Sequence, residues 1–406
     1  MIPRARANFT LADLAAAARI TEGCNEYRSL LSAQLCAYLG VANVLLTPSG
    51  RCGLYAILRA IDRPRVIVPA YTCNAVVEAA LLAGKTVQYA EVEVDGFNVA
   101  VDSLEPLLGP DAVFIATHQF GIPCAIERIV SLCRARAAMC IEDAAASLGT
   151  RVGGRLTGTF GDAAFFSFDT SKLVTVPLKG GAVIARDPEL FARIERGHRS
   201  NVEPMPAHVK ARMLAMASAL VLLQGRRRYA LFHALRFRRS FTAEAPLLEA
   251  KRTLWYRYDL APFQAFIATR QMARIDELVG KRRALYSAYE LKLRGMKAFV
   301  TPPPDVAQEW APIRFPIRVR SDKLAFYRAA TKRGVDFAFS FTFIAAPPRF
   351  EAAHALARSV LDLPFYNDLA LEELDTVVET LHALDHEHAG GGLESAGPSK
   401  TVSPQC

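Results

Sequence analysis

The sequence has no C-x-x-C cysteine pair, no long hydrophobic run and no internal repeat. Its eight cysteines are scattered along 406 residues, which argues against a disulfide framework and against a zinc site. The longest apolar run, Met213 to Leu223, is too short to span a bilayer, and the stretch from Met1 to Leu14 lacks the apolar core of a signal peptide. We therefore expect a soluble, cytoplasmic protein without a metal site.

The chain also lacks a recognisable nucleic-acid-binding module, although its formal net charge is +9. A basic surface attracts nucleotide-linked substrates, anionic membranes or nucleic acids, so charge alone does not distinguish among them. Solvated surface side chains explain the charge equally well. We expect no nucleic-acid partner. The hydrophobic content of 51% is sufficient for two domains with cores of their own.

Apolar strand-like runs alternate with helical stretches in the first half of the chain. This βαβ rhythm predicts an α/β fold with a mostly parallel sheet covered on both faces. We interpret seven runs as strands: Val44–Leu46, Val66–Val68, Thr86–Tyr89, Val113–Ala116, Met139–Ile141, Ala163–Phe168 and Ala182–Ala185. Further on, the pattern predicts one long helix over Gln264–Leu293, a strand over Ile313–Val319 and helices over Leu324–Lys332 and Leu371–Leu384.

Small or polar residues follow the ends of several predicted strands. Ligands bind beyond the carboxyl ends of parallel strands, so these residues are expected to share one site. They are Gly50, Thr72, His118, Asp143 and Lys172. A core histidine with satisfied hydrogen bonds explains His118 at least as well, and we do not place it among the catalytic residues.

Lys172 and Asp143 are the candidate reactive residues of this site: an amine that could attack a carbonyl and a carboxylate that could hold a pyridine nitrogen. A lysine that attacks a carbonyl needs an apolar setting to lower its pKa. A pyridine cofactor needs a carboxylate that keeps its ring nitrogen protonated, so that the ring withdraws electrons. Taken alone, the two residues are better explained as a capping aspartate and a surface lysine, and the surrounding motifs decide between the explanations.

Those motifs resemble the DegT/DnrJ/StrS family of sugar aminotransferases, in order and over roughly residues 30–385. Thr47–Leu54 resembles the family's SGT-x-AL turn, and Glu142–Ala145 matches its EDAA. The other motifs are Val66–Thr72, His118–Gly121, Gly161–Ala163 with Phe166–Phe168, Phe263–Ala265 with Arg282–Arg283, and Leu363–Tyr366. The resemblance implies the type I aminotransferase fold and pyridoxal 5'-phosphate (PLP) as cofactor.

The resemblance also implies a division of the chain and a role for each site residue. A large PLP-binding domain would cover residues 1–255, a small C-terminal α+β domain residues 256–388, and a disordered tail residues 389–406. Lys172 would attach the cofactor, with Lys179 as its only nearby rival, and Asp143 would hold the ring nitrogen. The family's phosphate contacts correspond to Gly50, Arg51 and Ser167, and a family threonine near the substrate or cofactor corresponds to Thr72.

Three cofactor-site positions depart from the family pattern. Cys73 stands where an aromatic residue or histidine normally stacks on the ring, and Ala146 replaces a glutamine that reaches the ring or substrate. Arg257 replaces an asparagine that reaches the phosphate of the partner subunit, so the resemblance implies a homodimer with shared sites. The departures fit a divergent aminotransferase that moves an amino group, from glutamate by resemblance, to the keto group of a nucleotide-linked sugar. They also fit a regulatory or catalytically impaired paralogue.

A basic insert at about residues 205–245 makes the chain longer than the family requires. We predict that residues 209–239 form one or two helices. Their apolar faces, including Leu220, Leu223, Phe232 and Leu235, are expected to cover protein. The alternative is a peripheral contact with an anionic membrane, because a basic helix with an apolar face can lie on such a surface.

Overall fold

A seven-stranded sheet forms the centre of the fold in the computed structural model, which describes residues 1–21, 23–236 and 253–389. The first nine strands of the chain are β1 (Leu45–Thr47), β2 (Arg65–Pro69), β3 (Thr86–Ala90), β4 (Ala112–Thr117), β5 (Met139–Asp143), β6 (Arg151–Val152), β7 (Arg155–Leu156), β8 (Ala163–Ser167) and β9 (Gly181–Ala185). Strands β6 and β7 form a separate hairpin, and the other seven strands lie in the order β1-β9-β8-β5-β4-β2-β3.

This sheet is parallel apart from β9, which runs antiparallel to both of its neighbours. Every strand predicted from the sequence in this part of the chain is therefore confirmed. The runs are apolar and rich in β-branched residues because the strands are buried on both faces. Their parallel direction places the ends of β2, β4, β5 and β8 at one edge of the sheet, and this edge carries the candidate site.

The described helices and the strands of a second sheet complete the fold. The helices are α1 (Leu11–Ala18), α2 (Glu26–Leu39), α3 (Gly50–Arg59), α4 (Asn74–Leu82), α5 (Ile126–Ala135), α6 (Pro188–Arg199), α7 (Ala207–Leu223), α8 (Arg226–Arg236), α9 (Leu254–Arg257), α10 (Pro262–Met272), α11 (Ile275–Lys292), α12 (Lys323–Lys332), α13 (Glu351–Ser359) and α14 (Leu371–Ala389). The second sheet is antiparallel, with the order β10 (Phe299–Val300), β11 (Pro316–Val319), β13 (Val360–Asp362) and β12 (Ala338–Phe339).

Side chains that alternate along the strands of the large sheet pack against helices on opposite faces of the sheet. Phe166 and its alternate neighbours pack with α2 and α10 in one core, whereas Phe165 and its neighbours pack with α3, α4 and α6 in another. Helix α5 covers the β4 region of the Phe166 face. The expectation of a mostly parallel sheet with helices on both faces is thus confirmed.

The predicted single helix over Gln264–Leu293 is wrong, because the structure breaks it into α10 and α11. Arg274 leaves helical geometry between them, with φ −127° and ψ 30°. Neither glycine nor proline marks the break, so the sequence offered no stop signal there.

The N-terminal residues lie against the second sheet rather than the large one. Ile2 bridges to Val335, and Arg4 forms an ion pair with the buried Asp336. Helix α10, by contrast, packs in the core of the large sheet. The proposed division into residues 1–255 and 256–388 stays a prediction. Of the predicted tail, Ala389 ends α14 and the rest lies outside the described residues.

The insert forms two helices, α7 and α8, as predicted, but a different set of apolar residues is buried. Helix α7 packs against Phe9 and Phe263 through Val209, Met213 and Ala217. Leu220 is 39% exposed in the single chain, so its own subunit does not bury it, and its predicted contact with protein stays a prediction. The sequence could not identify the buried stripe because apolar residues occupy almost the whole circumference of α7.

Of the other side chains predicted to cover protein, Leu223 and Phe232 are half-buried. The Leu235 side chain and residues 237–252 lie outside the part of the chain that the structure describes. Among the described helices, none combines the length and the apolar character that crossing a membrane requires.

Candidate active site

A cavity of about 210 Å³ opens at the carboxyl edge of the large sheet. It brings together every predicted site residue except His118 and Arg257. The predicted residues that line it are Gly50, Arg51, Thr72, Cys73, Asp143, Ala146, Ser167 and Lys172. Residues far apart in the sequence meet here because parallel strands end at the same edge.

The first turn of α3 lines the cavity. The Ser49 hydroxyl accepts a hydrogen bond from the Cys52 backbone N–H at 3.2 Å and donates one to the Trp255 carbonyl at 2.9 Å, which fixes the start of the helix. The first N–H groups of a helix have no intrahelical partner and lie at the positive end of the helix dipole. This turn is therefore suited to an anionic group such as a phosphate.

Gly181 allows the strands to approach this turn closely. A Cβ atom at position 181 would lie 2.7 Å from the Gly50 nitrogen and 2.7 Å from the Phe166 carbonyl oxygen. Arg51 follows Gly50, and its guanidinium forms an ion pair with Glu78 at 3.3 Å. The Arg51 side chain is thus engaged beside the turn, and its contribution to anion binding comes first from its backbone N–H.

Lys172 and Asp143 lie in the same cavity, with Asp143 at the end of β5 and Lys172 beyond the end of β8. Burial lowers the pKa of the Lys172 amine, and the positive charge of Arg314 lowers it further, while Asp143 and Asp169 oppose the shift. A lowered pKa increases the share of unprotonated amine, which is the nucleophilic form. This is the setting that a carbonyl-attacking lysine needs.

Asp143 is a buried carboxyl group whose pKa burial raises. The Lys172 charge opposes that shift, as does the Ala145 backbone N–H, which donates a hydrogen bond to Asp143 Oδ1 at 3.1 Å. A cationic N–H group placed beside this carboxylate would offset the cost of its burial. A protonated pyridine nitrogen is such a group.

Lys179, the other candidate for attachment of the cofactor, is paired with a carboxylate. It forms an ion pair with Asp169 and also lies over the Trp255 ring, 5.4 Å from its centroid. Although burial alone would raise the pKa of Asp169, the charge and hydrogen bond of Lys179 lower it. Lys179 is thus held as an ion-paired cation at the cavity wall.

Two buried hydroxyl groups in the cavity have no hydrogen-bond partner among the residues that the structure describes. They are the Oγ1 atoms of Thr72 and Thr117. Thr117 ends β4, and Thr72 follows the end of β2. A buried polar atom without a partner carries a free-energy cost, so these hydroxyls are suited to a polar ligand.

The residues present fit PLP. The first turn of α3, together with the hydroxyl of Ser167 at the end of β8, suits the phosphate. Asp143 suits the ring nitrogen and Lys172 the aldehyde, and the unpartnered threonine hydroxyls offer further polar contacts.

The departures from the family pattern also line this cavity. Cys73 precedes α4 and is partly buried, and Ala146 presents only a methyl group. Phe120 and Phe341 form an aromatic wall, with ring centroids 5.9 Å apart and planes 25° apart. Both have positive φ, 60° and 47°, which is unfavourable for bulky residues and is found preferentially at functional sites.

His118 lies behind the site, where its side chain is completely buried. Its Nε2 is 3.1 Å from Glu142 Oε2, and the Cys124 backbone N–H donates to its Nδ1. Glu142 in turn accepts backbone hydrogen bonds from Gly158, Phe160 and Gly161. The core interpretation of His118 agrees with this arrangement, because the ring has partners on both nitrogens.

Arg257 does not line the cavity of its own subunit. Its side chain is 61% exposed and pairs with Glu203 at 3.2 Å. Sequence reasoning also missed several residues that line the cavity, among them Thr117, Asp169 and Arg314. Thr117 ends a predicted strand and could have been found from that position, whereas Arg314 carries no local signal because it precedes β11 of the second sheet.

The DegT/DnrJ/EryC1/StrS aminotransferase family model matches residues 5–382. The chain belongs to this family. The family is PLP-dependent, which agrees with the cavity described above. The predicted family, fold class and cofactor are therefore confirmed.

Individual relatives in this family are sugar aminotransferases. The UDP-N-acetyl-3-dehydro-alpha-D-glucosamine 3-aminotransferase of Acidithiobacillus ferrooxidans is 31% identical over 175 residues, 42% of this chain and 47% of the relative. GDP-perosamine synthase of Escherichia coli O157:H7 is 32% identical over 149 residues, 36% of this chain and 41% of the relative. The chain thus matches less than half the length of these curated relatives.

Solved structures match over almost the whole chain. The Helicobacter pylori aminotransferase PseC, involved in the biosynthesis of pseudoaminic acid, superposes with a TM-score of 0.74 at 18% identity, covering 95% of this chain and 99% of PseC. At this identity the similarity establishes the fold alone.

Proposed function

We propose that the protein is a PLP-dependent aminotransferase that transfers an amino group from an amino acid donor to the keto group of a nucleotide-linked sugar. One observation carries this proposal. The Lys172 amine, the Asp143 carboxylate and the first turn of α3 line one cavity. Lysine, carboxylate and anion site are the three groups that PLP chemistry requires from a protein.

PLP, when bound, supplies an electron sink that stabilises negative charge on the substrate carbon. Asp143 would hold the proton on the ring nitrogen, because a carboxylate stabilises the positive charge there. Lys172, once released from the cofactor, would move a proton between the substrate carbon and the cofactor carbon, and its lowered pKa favours the unprotonated form that a base needs. Ser167 and the α3 N–H groups would hold the phosphate in place.

Arg314 and Thr72 supply contacts for the substrates. Arg314 lines the cavity and uses one guanidinium nitrogen to contact Asp362 Oδ2 at 2.5 Å. Its remaining donors suit the carboxylate of an amino acid donor or the diphosphate of an acceptor. Glutamate is the donor that the family resemblance implies. The names of the two curated relatives, which refer to UDP-linked and GDP-linked sugars, support the acceptor class.

We further propose a homodimer in which Arg257 completes the site of the partner subunit. Its exposed side chain and its place outside its own cavity support this role. A guanidinium in that position would bind the phosphate more strongly than the amide it replaces, since it adds a positive charge. The cytoplasmic location stays a prediction.

A regulatory PLP-binding paralogue is the second candidate, because Cys73 and Ala146 remove an aromatic contact and an amide from the cavity. An absorbance experiment separates the candidates. The purified protein with PLP should show the visible band of covalently bound cofactor, glutamate should bleach it, and a keto sugar linked to UDP or GDP should restore it. A band that no amino donor bleaches would support the regulatory protein, and failure to bind PLP would reject both.

A further inference from the structure

Helix α7 exposes an apolar face along its last three turns. Within α7, every exposed position after Arg212 is apolar, and these positions are Ala215, Met216, Ala219, Leu220 and Leu222. Met216 is 47% exposed and Leu222 43%. Contiguous exposed apolar side chains on a soluble protein make a candidate interaction surface.

Helix α8, which follows α7 directly in the chain, adds positive charge. Arg226, Arg227 and Arg228 are exposed, and Leu231, one turn further on, is 64% exposed. The opposite side of the helix is fixed to the protein, because Tyr229 donates a hydrogen bond to the buried Asp336 and His233 contacts Tyr327 at 3.1 Å. The packing of α8 therefore directs Arg226, Arg227, Arg228 and Leu231 outward.

The charge of this region is of one sign. Residues 204–243 contain eight lysines and arginines and no aspartate or glutamate, while the net charge of the whole chain is +9. The remainder of the chain is thus close to neutral. The basic character that the sequence shows overall is concentrated in the same segment that presents the apolar face.

We propose that α7 and α8 bind the protein to an anionic lipid surface. Apolar side chains enter the acyl boundary, while arginines contact the anionic headgroups. A second copy is the weaker candidate for this face, since a two-fold contact would bring two basic segments together without acidic partners. The binding would be peripheral, and it is independent of the proposed catalytic activity.

Co-sedimentation of the full chain with vesicles tests the proposal. The protein should bind vesicles of equal parts phosphatidylglycerol and phosphatidylcholine, should not bind vesicles of phosphatidylcholine alone, and should be released by salt because surface charges are screened. Absence of binding to the anionic vesicles, or equal binding to both kinds, would overturn the proposal.

Matched charge variants show whether α8 is responsible. Arg226→Gln, Arg227→Gln and Arg228→Gln together should weaken binding at least tenfold, since one arginine near an anionic surface contributes about fivefold. The control combines Arg59→Gln, Arg134→Gln and Arg349→Gln, exposed arginines elsewhere that remove the same charge. Equal losses in the two variants would mean that net charge alone causes binding, and the proposal would be wrong.

Apolar variants complete the test. Leu220→Ser with Leu222→Ser should weaken vesicle binding several-fold and leave the thermal unfolding midpoint unchanged, because both side chains are exposed. Leu291→Ser with Leu371→Ser is the control, with side chains that are 70% and 77% exposed elsewhere. If the first pair leaves vesicle binding intact but changes the mass measured by light scattering, the face binds a second copy and not lipid.

Discussion

Arg314 and Lys172 meet in one cavity although Arg314 precedes a strand of the second sheet and Lys172 follows a strand of the first. Burial is the strongest cause that lowers the pKa of the Lys172 amine, and the charge of Arg314 is the second strongest. One residue can therefore serve two purposes. It favours the unprotonated, reactive form of the lysine and would offer a cation to anionic substrate groups.

Arg314→Met should raise the pKa of Lys172, because a cation that disfavours the protonated amine is removed. Only the unprotonated amine attacks, so PLP should attach more slowly at pH 7 than in the wild type. The pH at which the attachment rate increases should also be higher than in the wild type. Stopped-flow absorbance after PLP is mixed with apoprotein measures this. Arg318→Met, whose guanidinium donates to the Val94 carbonyl outside the cavity, is the control and should leave the profile unchanged.

Lys172→Ala should abolish the visible band of covalently bound cofactor and reduce turnover below detection. Borohydride reduction followed by peptide mapping identifies the attached lysine in the wild type. Lys179→Ala should retain the band, because Lys179 is ion-paired with Asp169. A cofactor mapped to Lys179 would show that the assignment of Lys172 is incorrect.

Asp143→Asn should retain bound cofactor but reduce kcat at least about a hundredfold, since loss of one electrostatic contact to developing charge has costs of this order. An amide does not stabilise a protonated ring nitrogen as a carboxylate does. Single-turnover kinetics with glutamate separate this effect from weaker donor binding. Near-normal turnover would remove Asp143 from the mechanism.

The Arg257→Ala variant should be inactive by itself. Co-expression with a second inactive variant, Lys172→Ala, should restore part of the turnover. In co-expressed Arg257→Ala and Lys172→Ala chains, each mixed dimer would contain one intact site, so a two-fold dimer should recover about a quarter of wild-type turnover. Lys172→Ala mixed with Asp143→Asn is the control, and it should recover none because both residues line the same cavity. If neither mixture recovers turnover, the proposal of a shared site is wrong.

Asp336→Asn should destabilise the fold by about 3 kcal/mol, the loss expected when one member of a buried ion pair is removed. Arg4 contacts both carboxylate oxygens of Asp336, at 2.6 and 2.9 Å, and the Tyr327 hydroxyl donates at 2.9 Å. Denaturant unfolding measures the change. Asp102→Asn, which alters an exposed ion pair with Arg128, should change stability little.

The same carboxylate makes stability depend on pH. Burial alone would raise the pKa of Asp336, but its hydrogen bond to His233 and the charge of Arg4 lower it to about 2, against an ordinary value of 3.8. The stabilisation from Asp336 is therefore complete above pH 3.8 and is lost as the pH falls towards 2. The free energy of unfolding of Asp336→Asn should lack this part of the acid dependence.

The strand pattern alone located Lys172, Asp143 and Gly50 at one edge of the sheet, and the family resemblance added Ser167. The reason is local: a short apolar run ended by a small or polar residue identifies a buried strand and its end, and parallel strands end at the same edge. Cys73 and Ala146 could also be placed in the cavity, because they are immediate neighbours of such residues in the chain.

Only the tertiary structure revealed Arg314 at the site, the break at Arg274 and the outward face of α7. Arg314 enters the cavity through long-range packing of the second sheet, and the break at Arg274 has no local stop signal. Apolar residues surround α7 almost completely, so its periodicity could not identify which side meets Phe9 and Phe263 and which side remains exposed. A residue's burial depends on the neighbours that the whole fold supplies, and those neighbours lie far away in the sequence.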